Sequence, residues 1–152
     1  MLIRSATPAD IPVMIQLEKH SATAGHWSRE QYEQVFAAKE SPSMRQVSIL
    51  VIQVDNKVVG FLAARSVDPE WEIENIAIQG EARRRGLGSR LVGQLIDLAR
   101  AKGGTAVLLE VRESNRAARS LYEKWAFVEN GRRRGYYRDP EEDAILYRLE
   151  LS

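Results

Sequence analysis

The segment that most constrains the fold is a predicted strand followed by a glycine-containing loop and a long amphipathic helix. Residues 71–78 alternate along a strand, and residues 86–102 repeat apolar side chains at three- and four-residue spacing, as one face of a helix does. Gly86 and Gly88 stand where the helix begins, after the run Arg83–Arg85. The first N–H groups of a helix lack internal partners and carry partial positive charge, and glycine lets a ligand approach the backbone. This arrangement is typical of a phosphate or pyrophosphate site.

Two well-known phosphate-binding motifs do not fit this loop. A P-loop requires a lysine directly after its last glycine, whereas Ser89 follows Gly88. The dinucleotide fingerprint requires a third glycine, and Leu91 stands at that position. On the loop alone, an ordinary helix N-terminus with solvated arginines remains an alternative.

The rest of the chain indicates a single α/β domain over residues 1–152. This length fits one domain with its own core and hardly two. The pattern predicts a strand, two helices, three strands, a helix, a strand, a helix and two strands, at about 1–6, 7–17, 28–39, 47–54, 57–65, 71–78, 86–102, 105–111, 115–124, 127–128 and 144–149. In the strand over 71–78, strict alternation predicts one face formed by Trp71, Ile73, Asn75 and Ala77.

Composition narrows the function classes. There are 22 Lys and Arg residues against 21 Asp and Glu residues, so attraction of the whole molecule to nucleic acid or to an anionic membrane is not expected. The absence of cysteine excludes a disulfide framework and a cysteine nucleophile, and two histidines are too few to predict a metal site. No apolar run approaches the roughly 18–20 residues that span a bilayer, and no signal peptide is evident, so we expect a soluble cytoplasmic protein.

The motif Arg83-x-x-Gly86-x-Gly88 resembles the acetyl-CoA pyrophosphate loop of the GNAT acetyltransferases. The similarity includes residues 75–78 before the loop and 108–127 after the helix. The resemblance implies the GNAT fold, a mixed central sheet of about seven strands that is splayed in the middle and flanked by about four helices. It also implies an enzyme that transfers an acetyl group directly from acetyl-CoA to an amine.

In that family the strand before the loop separates from its neighbour, and the pantetheine arm of acetyl-CoA pairs with the exposed backbone. The resemblance assigns the pyrophosphate to the amides of residues 84–89, and assigns a position near the pantetheine arm to Asn115. The implied donor-binding residues are Ile76, Ala77, Ile78, Arg83, Arg84, Arg85, Gly86, Leu87, Gly88, Ser89 and Asn115.

Two side chains are candidates for the chemistry. Glu110 ends an apolar strand, where a carboxylate can accept the proton of the amine, although a pair with Arg112 or another arginine is the more common reason for a glutamate there. Tyr122 lies on the packing side of a short helix, where a core role is the simpler explanation. Three pieces of the chain narrow the resemblance within the family: Trp27-Ser28, Leu109-Glu110-Val111-Arg112-x-Ser114-Asn115, and the tail Arg133-x-Gly135-Tyr136-Tyr137 with Glu142-Asp143-Ala144. In these pieces the chain looks like the bacterial ribosomal-protein-alanine N-acetyltransferases. That resemblance assigns the general base to Glu110 and the general acid to Tyr122.

The same branch resemblance implies that the acceptor is a protein N-terminus, such as the N-terminal alanine of a ribosomal protein. Trp27, Tyr136 and Tyr137 are the candidate acceptor-binding residues, although the two tyrosines fit a sheet edge equally well. The chain departs from the family pattern over residues 20–26. It also carries Ala126 where the family usually has glycine, and we expect a right-handed or extended backbone there.

Three other functions remain as alternatives. Acetylation of a lysine or a small-molecule amine requires the same fold and the same donor. The presence of Glu110, Tyr122 and the full loop argues against a non-catalytic CoA-binding domain. Near-zero net charge, with no aromatic residues within the basic runs, argues against an arginine-rich RNA-binding domain. The run Arg132–Arg134 is interpreted as a charged face of a strand or loop.

Overall fold

A computed structural model describes residues 1–20, 27–38, 45–67, 69–82 and 85–151. The strands are β1 (Leu2–Ser5), β2 (Arg45–Val54), β3 (Lys57–Val67), β4 (Glu70–Ile78), β5 (Ala106–Arg112), β6 (Val128–Tyr137) and β7 (Glu142–Glu150). The helices are α1 (Ile11–Lys19), α2 (Arg29–Ala38), α3 (Leu87–Ala101) and α4 (Arg116–Lys124), with short 3-10 helices at Pro8–Asp10 and Gly80–Ala82. The predicted order of elements is confirmed.

The seven strands form one mixed sheet in the order β1-β2-β3-β4-β5-β7-β6. Among the described strands, β4 and β5 are the one parallel pair, and α3 connects them. A parallel pair needs a long crossover connection, which explains why the helix follows the glycine loop. The structure confirms the predicted mixed sheet with its four helices.

Apolar side chains pack on both faces of this sheet. On one face, α3 and α4 bury residues such as Leu91 and Tyr122 against β4, β5 and β7. On the other face, α1 and α2 bury Met14 and Tyr32 against β2 and β3. Among the described residues, this second cluster includes none from β5, β6 or β7. We call the uncovered side of β5, β7 and β6, which carries Glu110, the open face.

A bulge in β4 changes which side chains share a face. Ala63 of β3 pairs with Asn75, but its neighbour Ala64 pairs with Ile73, so Glu74 is an extra residue in β4. As a result Ile73 packs with α3, whereas Ala77 packs with α1 and α2. The prediction of one face formed by Trp71, Ile73, Asn75 and Ala77 is therefore wrong, because alternation restarts after the bulge.

The bulge lies where β4 and β5 separate. Their pairing runs from Glu70–Ala106 to Ile73–Leu109 and ends there. Beyond this point β4 pairs with β3 and β5 pairs with β7, and no register joins the two parallel strands. The predicted splay is thus present, and we call the space between residues 74–78 and residues 110–112 the β4–β5 cleft.

The turn after α4 contradicts the sequence prediction for Ala126. Its φ is +72°, in the left-handed region, and not right-handed or extended. The Phe127 amide donates to the Tyr122 carbonyl at 3.0 Å, and the Ala126 amide donates to the Glu123 carbonyl at 3.0 Å. These are the two hydrogen bonds of a Schellman motif, which requires a left-handed residue at this position. The motif also directs Phe127 into the core beside Tyr122.

We therefore expect Ala126→Gly to stabilise the protein. Glycine removes the steric cost of a left-handed alanine and loses some of that gain through its larger unfolded-state entropy, for a net increase of about 0.5–1 kcal/mol in the free energy of unfolding. Ala126 is exposed, so no core contact is lost. Urea titration measures the change. The matched control is Ala117→Gly within α4, also at an exposed alanine, which should lower stability by about 1 kcal/mol. Destabilisation by both variants would contradict the strain argument.

Candidate active site

The β4–β5 cleft exposes the backbone edge of Ile76, Ala77 and Ile78. Their side chains are held by the two cores, Ile76 and Ile78 on the α3 side and Ala77 on the α1 side. Their backbone pairs with β3 on one edge, and the pairing of β4 with β5 ends at Ile73, before these residues. A strand edge beyond the end of its pairing is where an extended ligand can add N–H···O=C hydrogen bonds.

The N-terminus of α3 adjoins this cleft. Gly86 has a φ of +76°, which glycine adopts without strain, and α3 begins at the next residue with no side-chain cap. The first amides of α3 therefore keep their capacity to bind an anion. A Cβ placed on Gly88 would lie 3.5 Å from Leu121 of α4 and 3.9 Å from Ile76 and Ile78 of β4. This glycine therefore faces both β4 and α4. Arg83 and Arg84 lie outside the described residues.

The remaining loop residues have distinct roles. Arg85 is exposed, as a group that meets a soluble anion would be. Leu87 is buried in the core and anchors the helix start. The Ser89 hydroxyl accepts a hydrogen bond from Trp125 Nε1 at 2.9 Å. At the next helix, Asn115 caps α4, with its Oδ1 accepting from the Ala118 amide at 3.1 Å. These contacts fix the loop and the α4 start without using the loop amides.

Tyr122 is buried on α4, at the edge of the core. Its ring packs edge-on against Phe127, with centroids 5.5 Å apart, and tilts against Tyr147 at 6.4 Å. Its hydroxyl forms no hydrogen bond with another described residue. Burial raises the pKa of Tyr122 well above its ordinary value, and the nearby Tyr137 raises it further. The ring thus has the core role that the sequence allowed, and the raised pKa keeps its hydroxyl protonated.

Glu110 lies on the open face, one residue beyond the last β4–β5 pair. Its Oε1 is 2.9 Å from Arg133 Nε, which realises the alternative of a pair with another arginine. Arg112, the nearest candidate in sequence, instead binds Glu142 at 3.2 Å. Glu72 of β4 is near enough for Glu110 to raise its pKa, after the larger contributions of burial and Glu74.

Tyr136 and Tyr137 end β6 beside these groups. Their rings contact edge-on, with centroids 5.2 Å apart, and the Arg112 guanidinium lies 4.3 Å from the Tyr137 ring centre. Burial raises the pKa of Tyr137, and the Glu110 carboxylate adds to that shift. Tyr137 in turn raises the pKa of Tyr122, so it is near enough to each of the two predicted catalytic groups to interact with it. Tyr136 is 53% exposed.

Trp27 belongs to the opposite helical layer. Its ring lies 5.3 Å from that of Tyr32, and its amide donates to Glu18 Oε2 at 2.7 Å. The structure therefore places Tyr137 near both Glu110, on the open face, and Tyr122, in the core on the α3–α4 side, and among the described residues Trp27 contacts none of the three.

Sequence reasoning missed Glu18, a buried carboxylate on α1. It accepts hydrogen bonds from the Tyr32 hydroxyl and from Asn75 Nδ2, the latter at 2.8 Å, in addition to the Trp27 amide. The signal was present, because residues 11, 14 and 18 share one face of a helix. Arg133 was also missed, since a run of three arginines does not reveal which member meets Glu110.

The described residues lack two kinds of feature. They include no group of three or more His, Cys, Asp and Glu side chains arranged to hold a metal ion. In the same part of the chain, no helix combines the length and the hydropathy needed to cross a bilayer.

Comparisons with known proteins agree with the geometry. The model of the Acetyltransferase (GNAT) family matches residues 13–127, so the chain belongs to this family and is an N-acetyltransferase. The [ribosomal protein bS18]-alanine N-acetyltransferase of Escherichia coli K12 is 36% identical over 152 residues, covering 99% of this chain and 97% of that protein. The crystal structure of the E. coli ribosomal-protein-S18-alanine N-acetyltransferase superposes with a TM-score of 0.84 at 32% identity, covering 99% and 94% of the two chains. A Salmonella typhimurium acetyltransferase solved with acetyl-CoA has a TM-score of 0.83 at 20% identity, covering 100% and 94%, and shares the fold.

Proposed function

We propose that this enzyme transfers the acetyl group of acetyl-CoA to the N-terminal α-amine of a protein, with an alanine of a ribosomal protein as the acceptor. The observation that carries the proposal is the β4–β5 cleft. It opens where the pairing of the two parallel strands ends, one residue before Glu110. The acceptor is suggested by the bS18-alanine N-acetyltransferases, at 36% identity over nearly the whole chain. Such an acceptor implies a cytoplasmic reaction.

For the donor, we assign the pantetheine arm to the edge of β4 at Ile76, Ala77 and Ile78, which lies beyond the last pair with β5. The uncapped amides at the start of α3 bind the pyrophosphate, and Arg85 adds positive charge. The neighbouring Arg83 and Arg84 are assigned to the same anion. Asn115 holds the start of α4 through its cap and lies beside the pantetheine arm.

In the proposed reaction, Glu110 accepts a proton from the acceptor ammonium, directly or through a water. The neutral amine nitrogen then bonds to the acetyl carbonyl carbon, and the carbon–sulfur bond breaks with its electron pair on sulfur. Tyr122, whose hydroxyl is protonated at neutral pH, supplies the proton that the leaving thiolate takes up. Tyr122 regains a proton from the nitrogen of the new amide, and Glu110 releases its proton to solvent, so one proton is released for each acetyl group transferred. Tyr136 and Tyr137 form a wall for the acceptor peptide, and Trp27 supports the acceptor side from the α1–α2 layer.

The acceptor class follows from the strength of the available base. A protein α-amine has a pKa of ~7.7–8.0, whereas a lysine side chain has a pKa of ~10.4. At neutral pH the α-amine is already partly neutral, so one carboxylate suffices to complete deprotonation. A lysine requires more than two pKa units of additional driving force.

Glu110→Gln tests the base and the acceptor together. We expect kcat/KM for an Ala-starting peptide to fall by about 10- to 100-fold near pH 6, because most of the α-amine is protonated there, and to recover partly toward pH 9. The measurement is kcat/KM against pH for both proteins, with the acetylated atom located by mass spectrometry. Glu150→Gln, at an exposed glutamate that ends β7 and pairs with Arg148, is the control and should leave the profile unchanged.

Two results would count against this proposal. A Glu110→Gln profile parallel to that of the parent would remove Glu110 from the role of base. Acetylation of lysine side chains, or of a peptide whose α-amine is blocked, would contradict the acceptor while leaving the acetyltransferase class intact.

A further inference from the structure

Arg133 is the one member of the arginine run that reaches the predicted base. It pairs in register with Ala144 of β7, while Glu110 pairs with Leu146, two residues further along the same strand and on the same face. Ala144 is fully buried and presents only a methyl group, so the Arg133 side chain crosses β7 above it. Its Nε then lies 2.9 Å from Glu110 Oε1.

The neighbouring arginine has a different role. Arg132 is held by Glu113 and Asp143, each at 2.6 Å. Asp143 also accepts from the Gly135 amide at 2.8 Å, where the backbone has a φ of +59°. This clamp fixes the irregular end of β6. Because successive residues of a strand point to opposite faces, Arg133 is directed onto the open face.

A carboxylate base has a disadvantage when the acceptor is an amine, because it also favours the protonated form of that amine. Its negative charge stabilises the ammonium form, which has no lone pair and cannot attack. The more strongly an unscreened Glu110 attracts the acceptor, the larger the fraction that binds in the unreactive form. A cation beside the carboxylate weakens this attraction and also disfavours a second positive charge nearby.

The other groups around Glu110 make this screening necessary. Glu72 of β4 faces the same region and is itself acted on by Glu74 and Arg65, while Tyr137 of β6 faces it as a neutral phenol. Glu74 and Arg65 form an ion pair with each other at 2.5 Å. Without Arg133, the carboxylates of Glu110 and Glu72 would together hold an acceptor ammonium.

We propose that Arg133 is a positioning residue that screens Glu110, so that the acceptor α-amine binds as the neutral nucleophile. The inference rests on the proposed role of Glu110 as the base. Arg133 is 56% exposed and pairs through a single contact, so its guanidinium can move aside toward the Tyr136 ring, 5.6 Å away, when the acceptor enters.

The test is Arg133→Gln under single-turnover conditions, with saturating acetyl-CoA and an Ala-starting peptide. We expect the half-saturating peptide concentration to fall about threefold to tenfold, because the ammonium form now binds well. The maximal rate near pH 7 should fall about tenfold, and its acid limb should move by about one unit to higher pH, since the rate of the bound complex reports groups in that complex. Arg133→Lys should restore both values, and the exposed Arg134→Gln should change neither.

A double variant shows whether Arg133 acts through Glu110. In the Glu110→Gln background, Arg133→Gln should have a much smaller effect, since only Glu72 is left for it to screen, whereas an undiminished effect would overturn the inference. An unchanged rate, or weaker peptide binding with an unchanged rate, would also overturn it, because Arg133 would then be inert or would simply hold the peptide. A failure of the proposed function is recognised by a different result, namely that the parent enzyme acetylates lysine side chains. That result would overturn this inference as well.

Discussion

Tyr122→Phe is expected to lower kcat by about 10²–10⁴-fold while acetyl-CoA binds with unchanged affinity. Phenylalanine keeps the packing against Phe127 and Tyr147, so the core and the α4 position remain. The hydroxyl makes no hydrogen bond to another described residue, and its removal leaves no donor or acceptor of the fold unpaired. Only the proton for the departing thiolate is lost, and that loss affects the chemical step.

The measurement is single-turnover acetyl transfer, with acetyl-CoA affinity determined by calorimetry. Tyr147→Phe is the matched control, because that buried hydroxyl accepts from Arg119 Nε at 3.0 Å and donates to Glu123 at 2.7 Å. It should reduce the free energy of unfolding by about 1–3 kcal/mol with little effect on kcat. If Tyr122→Phe keeps the full rate of the chemical step, Tyr122 is a packing residue and not the acid.

The largest effect on stability is expected at Glu18. Within the described part of the chain, its two carboxylate oxygens accept hydrogen bonds from Tyr32, Asn75 and the Trp27 amide, and so join α1, the start of α2 and β4. Glu18→Leu removes the carboxylate that accepts these hydrogen bonds and should lower the free energy of unfolding by about 3–5 kcal/mol. Glu18→Gln turns an N–H group toward at least one of these donors and should cost about 1–3 kcal/mol.

Urea denaturation of the two variants, compared with the parent, measures this effect. Glu33→Gln on α2 is the control, because the side chain is exposed and its replacement should change stability by less than about 0.5 kcal/mol. A Glu18→Leu variant as stable as the parent would show that the three hydrogen bonds contribute nothing net to the fold. Equal losses in the Leu and Gln variants would show that the loss does not depend on the number of donors left unpartnered.

Much of the fold could be predicted from the chain alone, because its signals are local. The apolar spacing over 86–102 defines α3, the Ser28–Gln31 capping box opens α2 with its two hydrogen bonds, and Gly86 takes the positive φ that the loop requires. The loop motif, together with the segments around it, indicated the family and hence the sheet, its splay and the positions of the candidate site residues. The candidate residues Glu110, Tyr122 and Tyr137 came from the same motifs.

Tertiary structure decided what local patterns do not contain. Ala126 is left-handed because two Schellman hydrogen bonds and the burial of Phe127 outweigh the preference of alanine. The bulge at Glu74 reverses the faces of β4 because β3 and β5 together determine where its side chains can be buried. The partner of Glu110 is Arg133, 23 positions away, and not Arg112, because strand register across β7 sets which charges meet. Each outcome depends on contacts between segments distant in sequence, whose geometry exists only once the sheet has formed.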